Sequence, residues 1–163
     1  MRFTSLSATA LSATLASARI IGISVPSTLA PNTTFPLTII TEGYIQTVAD
    51  IAIAFGFQLP TTQNPTGYPG TLGAFLTSAY LGPQKSNTSK NVTLEVTVPE
   101  ELESDSWHGK DVVLSAGVYS IYGASGSPEL DGWNVTVKIG ETTGGDNVSS
   151  TTRGWTTDIV SNE

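Results

Sequence analysis

The side chains that could do covalent or metal chemistry in this 163-residue chain are few and far apart. His108 is the single histidine and cysteine is absent. A Ser-His-Asp triad would have to use His108, and the nearest serine motif, Gly123-Ala124-Ser125-Gly126-Ser127, has Ser127 where a nucleophile elbow needs its second glycine. That motif also falls in a connection between strands rather than in a strand-to-helix turn. Zinc requires three or four ligands, commonly several His or Cys, which this composition does not supply. Glu101, Glu103 and Asp105 alternate as in a calcium loop, but the sixth position is Ser106 instead of Gly and the twelfth is Val112 instead of Glu. No motif marks the carboxylate pair of a glycosidase, whose separation is a tertiary property. The expectation is a protein without metal, cofactor or catalytic centre, with a hydrolase using an acidic pair as the most distant reading.

Modification chemistry is better represented. Asn32, Asn87, Asn91, Asn134 and Asn147 each begin an Asn-x-Ser/Thr acceptor for N-linked glycans. Export agrees with them. Arg2 precedes an uncharged Ala/Leu stretch to Leu15, and Ala16-Ser17-Ala18 has the small-x-small form of a signal-peptidase site, so residues 1–18 read as a signal peptide. The polar C-terminal residues do not form the hydrophobic tail of a lipid anchor. The chain therefore reads as secreted and extracellular, with no membrane anchor. Losing Arg2 takes the formal charge from −7 to −8, and the remaining Lys and Arg nowhere cluster, which argues against nucleic acid or anionic lipid as partner.

The elements that must carry these residues are strands. Residues 92–98, Val-Thr-Leu-Glu-Val-Thr-Val, alternate apolar and polar, as do residues 133–139. Asn91 and Asn134 share parity with the polar positions of these two runs, which puts both on the outward face. Residues 20–25, 35–41, 48–59, 73–81 and 112–122 complete the set, separated by Gly and Pro signals, and no helical periodicity lasts beyond two turns. The pattern predicts an all-β, disulfide-free, immunoglobulin-like antiparallel β-sandwich of about seven strands over residues 19–140. Residues 141–163, rich in Gly, Ser and Thr, read as a flexible tail.

Two kinds of binding surface follow. Along residues 48–59, Ala52, Ala54, Gly56 and Gln58 oppose the large apolar side chains, and along residues 112–122 the corresponding face shows Ser115, Gly117 and Tyr119. If these strands pair, Ala52, Ala54, Gly56, Ser115, Gly117 and Tyr119 form a flat face of low charge suited to a protein partner. The alternative is a carbohydrate- or cell-wall-binding module in which Tyr68 and Trp107, at loops, stack on sugar rings.

The segments Arg19-Ile20-Ile21-Gly22-Ile23-Ser24-Val25-Pro26, Pro65-Thr66-Gly67-Tyr68-Pro69-Gly70-Thr71-Leu72-Gly73, Ala79-Tyr80-Leu81-Gly82-Pro83 and Tyr122-Gly123-Ala124-Ser125 carry a resemblance. Over most of residues 19–140 the chain resembles the fungal necrosis-inducing secreted protein family, small effectors of plant-associated fungi. The resemblance implies a non-enzymatic effector that binds host immune receptor-associated kinases, dampens pattern-triggered immunity and in some members provokes cell death. It implies no catalytic residues and leaves the oligomeric state open. Such kinase domains lie inside the host cell, whereas glycan acceptors face the secretory lumen, so the partner calls either for delivery into host cells or for an extracellular contact.

Overall fold

A computed structural model describes residues 17–158. The chain runs β1 (Ser17–Leu29), β2 (Thr34–Tyr44), β3 (Val48–Gln58), β4 (Ala74–Tyr80), a single helical turn α1 (Gly82–Lys85), β5 (Val92–Thr97), a 3-10 turn (Glu100–Glu103), β6 (Asp111–Tyr122), β7 (Ser127–Ile139), β8 (Gly144–Ser150) and β9 (Trp155–Asp158). All seven strands read from the sequence are present, six of them within four residues of their expected ends and β7 starting six residues earlier, at Ser127. They form because their apolar faces pack into a common core, β4 only partly.

The strands form one sheet curled on itself in the order β4-β3-β6-β7-β1-β2-β5. The curl brings Phe35, Leu37 and Ile39 of β2, with Leu94 and Val96 of β5, against Ile53 and Phe57 of β3, Leu114 and Val118 of β6, and Trp133 and Val135 of β7. This is the connectivity of an immunoglobulin-like sandwich, with β1, β2 and β5 in one layer and β4, β3, β6 and β7 in the other. Residues 17–24 of β1 pair antiparallel with β2, and Thr28 and Leu29 then run parallel to Lys138 and Ile139 of β7. That parallel pair is the one departure from the expected antiparallel sheet. Thr143 secures this junction by accepting from the backbone N–H of Ala30 at 2.9 Å and by a close hydroxyl contact with Thr33.

Two features differ from the sequence reading. The segment expected to be a flexible tail is structured as far as Asp158: β8 pairs antiparallel with residues 23–28 of β1, and β9 with residues 129–132 of β7. Its order comes from backbone pairing onto β1 and β7 and from Trp155 and Val148, not from an apolar repeat. Residues 159–163, and residues 1–16 of the expected signal peptide, lie outside the described residues. Ser17 and Ala18, on the signal side of the expected cleavage point, pair with Tyr44 and Gly43, and Ala18 is fully buried.

The second difference is a bulge in β3 between Asp50 and Ala52. Strand alternation alone would put Ile51, Ile53, Phe55 and Phe57 on one face. The bulge shifts the parity, so Val48 and Asp50 face inward together with Ile53, Phe55 and Phe57, opposite Tyr122 and Ser120 of β6. A carboxylate is thereby turned into one end of the core.

Candidate functional site

The six small or polar residues expected to form a docking face do meet. Cross-strand pairing sets Ala52 opposite Tyr119, Ala54 opposite Gly117 and Gly56 opposite Ser115. Half of that face is covered. Residues 59–73 fold over it as a roof, and Gln58 is its fastening: the amide nitrogen donates to Ser115 Oγ at 2.9 Å and to the Thr71 carbonyl at 2.8 Å, while Oε1 accepts from the Tyr68 N–H at 2.8 Å. Gly67 and Gly73, at φ of +85° and +89°, supply the left-handed backbone that lets the roof turn back onto the strand. A methyl group placed on Gly117 would stand 3.2 Å from the Trp155 ring and 3.5 Å from Leu72, and one on Gly56 would stand 2.7 Å from the Leu72 carbonyl oxygen. Gly56, Ser115 and Gly117 are thus core positions beneath the roof and β9, which corrects the expectation of an open face there.

Ala52, Ala54 and Tyr119 remain partly open, and β4 extends their surface. Ala52 pairs with Tyr80 and Ala54 with Ser78. Tyr80 is 68% exposed and Leu76 is 65% exposed, so Leu76, Tyr80, Ala52, Ala54 and Tyr119 make an apolar, uncharged patch beside the roof.

The residues of the carbohydrate alternative are not equivalent. Tyr68 is half-exposed on the roof. Trp107 follows the 3-10 turn, packs against the core and meets Phe75 edge-on at 5.4 Å, so much of its ring is already occupied. A polar cleft of about 460 Å³ lies between the roof and residues 150–154, lined by Asn64, Thr66, Asn134, Thr152 and Arg153 among others.

Of the glycan acceptors, Asn32, Asn91 and Asn147 are exposed, and Asn147 stands on β8 rather than in a loose tail. The side-chain oxygens of Asn87 and Asn91 accept from the backbone N–H groups of Ala18 and Thr41 at 2.9 and 3.1 Å, which leaves their amide nitrogens unengaged. Asn134 differs. Its nitrogen donates to the Thr66 carbonyl at 2.8 Å and its oxygen is sealed from solvent without a partner. The outward parity expected for Asn134 is correct, but the roof occupies the space outside it, so that position does not offer the open surface a glycan needs.

One end of the core is polar. Ser120 donates to Asp50 Oδ1 at 2.6 Å, and Arg153 holds Asp131 Oδ2 at 3.0 Å. Tyr122, between them, has its phenol pushed up to about 12 by burial and then by the negative charge of Asp131, Glu129 and Asp50. Nearby, Arg19 binds Glu42 at 2.7 Å and stacks over Tyr44, and the hydrogen bond to Glu42 raises its already high affinity for a proton. His108 lies 3.5 Å from Glu141, and the acidic residues 100–105 form a solvated turn around the buried Leu102. Among the described residues no group of three His, Cys, Asp or Glu side chains is placed to hold a metal ion, and no helix is long and apolar enough to cross a membrane.

The fastening role of Gln58 and Asn134 was not visible in the strand pattern. The one signal was a long amide side chain, Gln58, closing a row of otherwise small residues just before a Gly/Pro-rich segment.

Comparison with known proteins identifies the lineage. The sequence model of the Nis1 family matches residues 16–138. Necrosis-inducing secreted protein 1 of Colletotrichum orbiculare is 46% identical over 105 residues, covering 64% of this chain and 59% of that protein. Necrosis-inducing secreted protein 1 of Colletotrichum higginsianum is 50% identical over 105 residues, covering 64% of this chain and 67% of that protein. The matched region thus spans about three-fifths to two-thirds of the length of these relatives. The family match over residues 16–138 takes in the roof and all but the last residue of the seven central strands. Both relatives are named as secreted proteins, and this chain is likewise a secreted, extracellular protein. With residues 16–138 matched, the greater part of its length, the chain belongs to the Nis1 family.

Proposed function

We propose that this protein is a secreted fungal effector that binds host plant immune receptor-associated kinases and suppresses pattern-triggered immunity. The necrosis named for its relatives is the cellular outcome we extend to it. It works by protein–protein binding without catalysis. The observation that carries this reading is the uncharged patch of Leu76, Tyr80, Ala52, Ala54 and Tyr119. Two large, mostly exposed apolar side chains on an edge strand, beside small residues, are costly to leave in water and suited to burial against a partner. The test is capture of kinases from host tissue by the secreted protein and by Ala54→Arg and Tyr119→Ser variants whose folding is checked by circular dichroism. Loss of capture in both supports the patch. Undiminished capture removes it, and absence of any kinase from the wild-type eluate removes the function.

A second reading rests on the cleft between the roof and residues 150–154, with the half-exposed Tyr68 on the same roof. The hydroxyl, amide and guanidinium groups that line it suit a sugar residue of a wall polysaccharide. Retention on chitin, β-glucan or cellulose would favour it, and passage through all three would dismiss it.

A further inference from the structure

A second cleft, of about 330 Å³, opens where β3 begins, beside Tyr80 and the turn at Gly82–Lys85. Val48, Ile51, Tyr80 and Pro83 give it apolar walls, while Asp50, Ser86 and, at its rim, Asn87 are its polar members. Asp50 is only 2% exposed, yet its carboxylate is poorly served. Ser120 donates to Oδ1 at 2.6 Å. The remaining hydroxyl, Ser86 Oγ, accepts from the Asp50 N–H at 2.6 Å and has a single hydrogen for two acceptors, Asp50 Oδ2 and the Val48 carbonyl, each 3.1 Å away. An ionised carboxylate can accept about four hydrogen bonds, so this one holds at most half of its complement. Among the described residues no cation makes up the difference. Among the described residues the ion pairs involve Glu42, Glu141 and Asp131, and Lys85, adjacent in sequence, turns to the groove between β4 and β5.

A buried anion with too few donors and no counter-charge is costly, and the group that relieves it is a cation able to donate several hydrogen bonds. The shape of the site selects the kind. Oδ2, Ser86 Oγ and the Val48 carbonyl converge on one region and match the three donors of an ammonium better than the planar fork of a guanidinium. The apolar walls suit an aliphatic stem, and the exposed Tyr80 ring at the mouth suits passage of a positive charge. We propose that this cleft is a binding site for a protonated primary amine on an aliphatic stem, specifically a lysine side chain presented by a protein partner. Burial first, and then the negative charge of Asp131, Glu129 and Asp50, raise the proton affinity of Tyr122 at this end of the core. The site rests on the protein-binding reading above only for the source of the lysine; the amine chemistry stands without it.

The experiment titrates the secreted protein, labelled with nitrogen-15, with pentylamine and separately with the uncharged 1-pentanol, following backbone amide shifts. Saturable shifts at residues 48–51 and 82–87 with pentylamine, and none there with pentanol, are expected. Asp50→Asn keeps the side-chain shape and should weaken pentylamine binding by roughly thirtyfold or more. Tyr80→Ala, at an exposed position, should weaken it about threefold and serves if the Asp50 variant does not fold. A lysine-containing peptide should reproduce the shifts, and the same peptide acetylated on Nζ should not. Equal responses to amine and alcohol, no response at these amides, or full binding by either variant would overturn the site. Because pentylamine is the probe, failure to capture kinases would leave these outcomes unchanged.

Discussion

Gln58 carries the roof through three hydrogen bonds made by one buried side chain. Truncation strands its partners: Ser115 is fully buried and loses its donor, as does the Thr71 carbonyl, and the Tyr68 N–H loses its acceptor. Each buried polar group left unpaired costs about 1–3 kcal/mol, less where water can reach it. Gln58→Ala should therefore destabilise the protein by about 2–4 kcal/mol, read as a lowered urea midpoint, and should make residues 59–73 the first point of proteolysis. If the roof were held by Leu72 and Tyr68 alone, the variant would resist protease as the parent does. The sequence placed Gln58 correctly on the outer face with Ala52, Ala54 and Gly56. What it did not reveal is that this face has an inside. That depends on Gly67 and Gly73 turning the chain back, and on Trp155 arriving from about a hundred residues away, neither of which leaves a periodic signal.

At the scale of elements, β8 and β9 act as a strap across the first and last strands of the core sheet. Arg153 closes the ion pair to Asp131, Ser149 donates to Ser24 at 2.8 Å, and the Trp155 ring lies directly on Gly132 of β7. Only a glycine fits at Gly132, since a Cβ there would overlap the ring. Gly132→Ala should cost about 1–3 kcal/mol by forcing the indole out, and should shift the tryptophan fluorescence. The decisive measurement is the double variant. In a Trp155→Ala background the same Gly132→Ala change should be nearly neutral, because the clash has been removed, giving a clear coupling energy. Additive effects would show that the strap does not seat on β7 in solution. The seven central strands were legible because alternate side chains must enter one core. The strap was not, since backbone pairing onto β1 and β7 holds it and tolerates Gly, Ser and Thr at almost every position. The β3 bulge escaped for a related reason: alternation predicts a regular strand, and an inserted residue shows only in the partner's register.

Across the whole molecule, three of the five glycan acceptors stand clear of the apolar patch, while Asn87 lines the cleft beside Tyr80. Asn32, in the turn between β1 and β2, Asn91, at the start of β5, and Asn147, on β8, are all exposed, and none lies in the patch formed by Leu76, Tyr80, Ala52, Ala54 and Tyr119. Glycans on those three asparagines would sit beside a protein-binding patch without covering it. Asn134 breaks the pattern from below the roof, where its amide nitrogen already serves Thr66. A bulky sugar on that nitrogen would have to displace the Thr66 contact that helps hold the roof, and lifting the roof would also break the hydrogen bonds of Gln58. Glycopeptide mass spectrometry of the folded, secreted protein should accordingly find modification at Asn32, Asn91 and Asn147 and an unmodified Asn134. The same sequon in a Gln58→Ala background, with the roof loosened, should become partly occupied, since attachment would then compete with a weaker closure. Full occupancy of Asn134 in the parent protein would mean that the roof stands open when the chain leaves the cell, and the buried character of Ser115 and Gly117 would have to be abandoned with it.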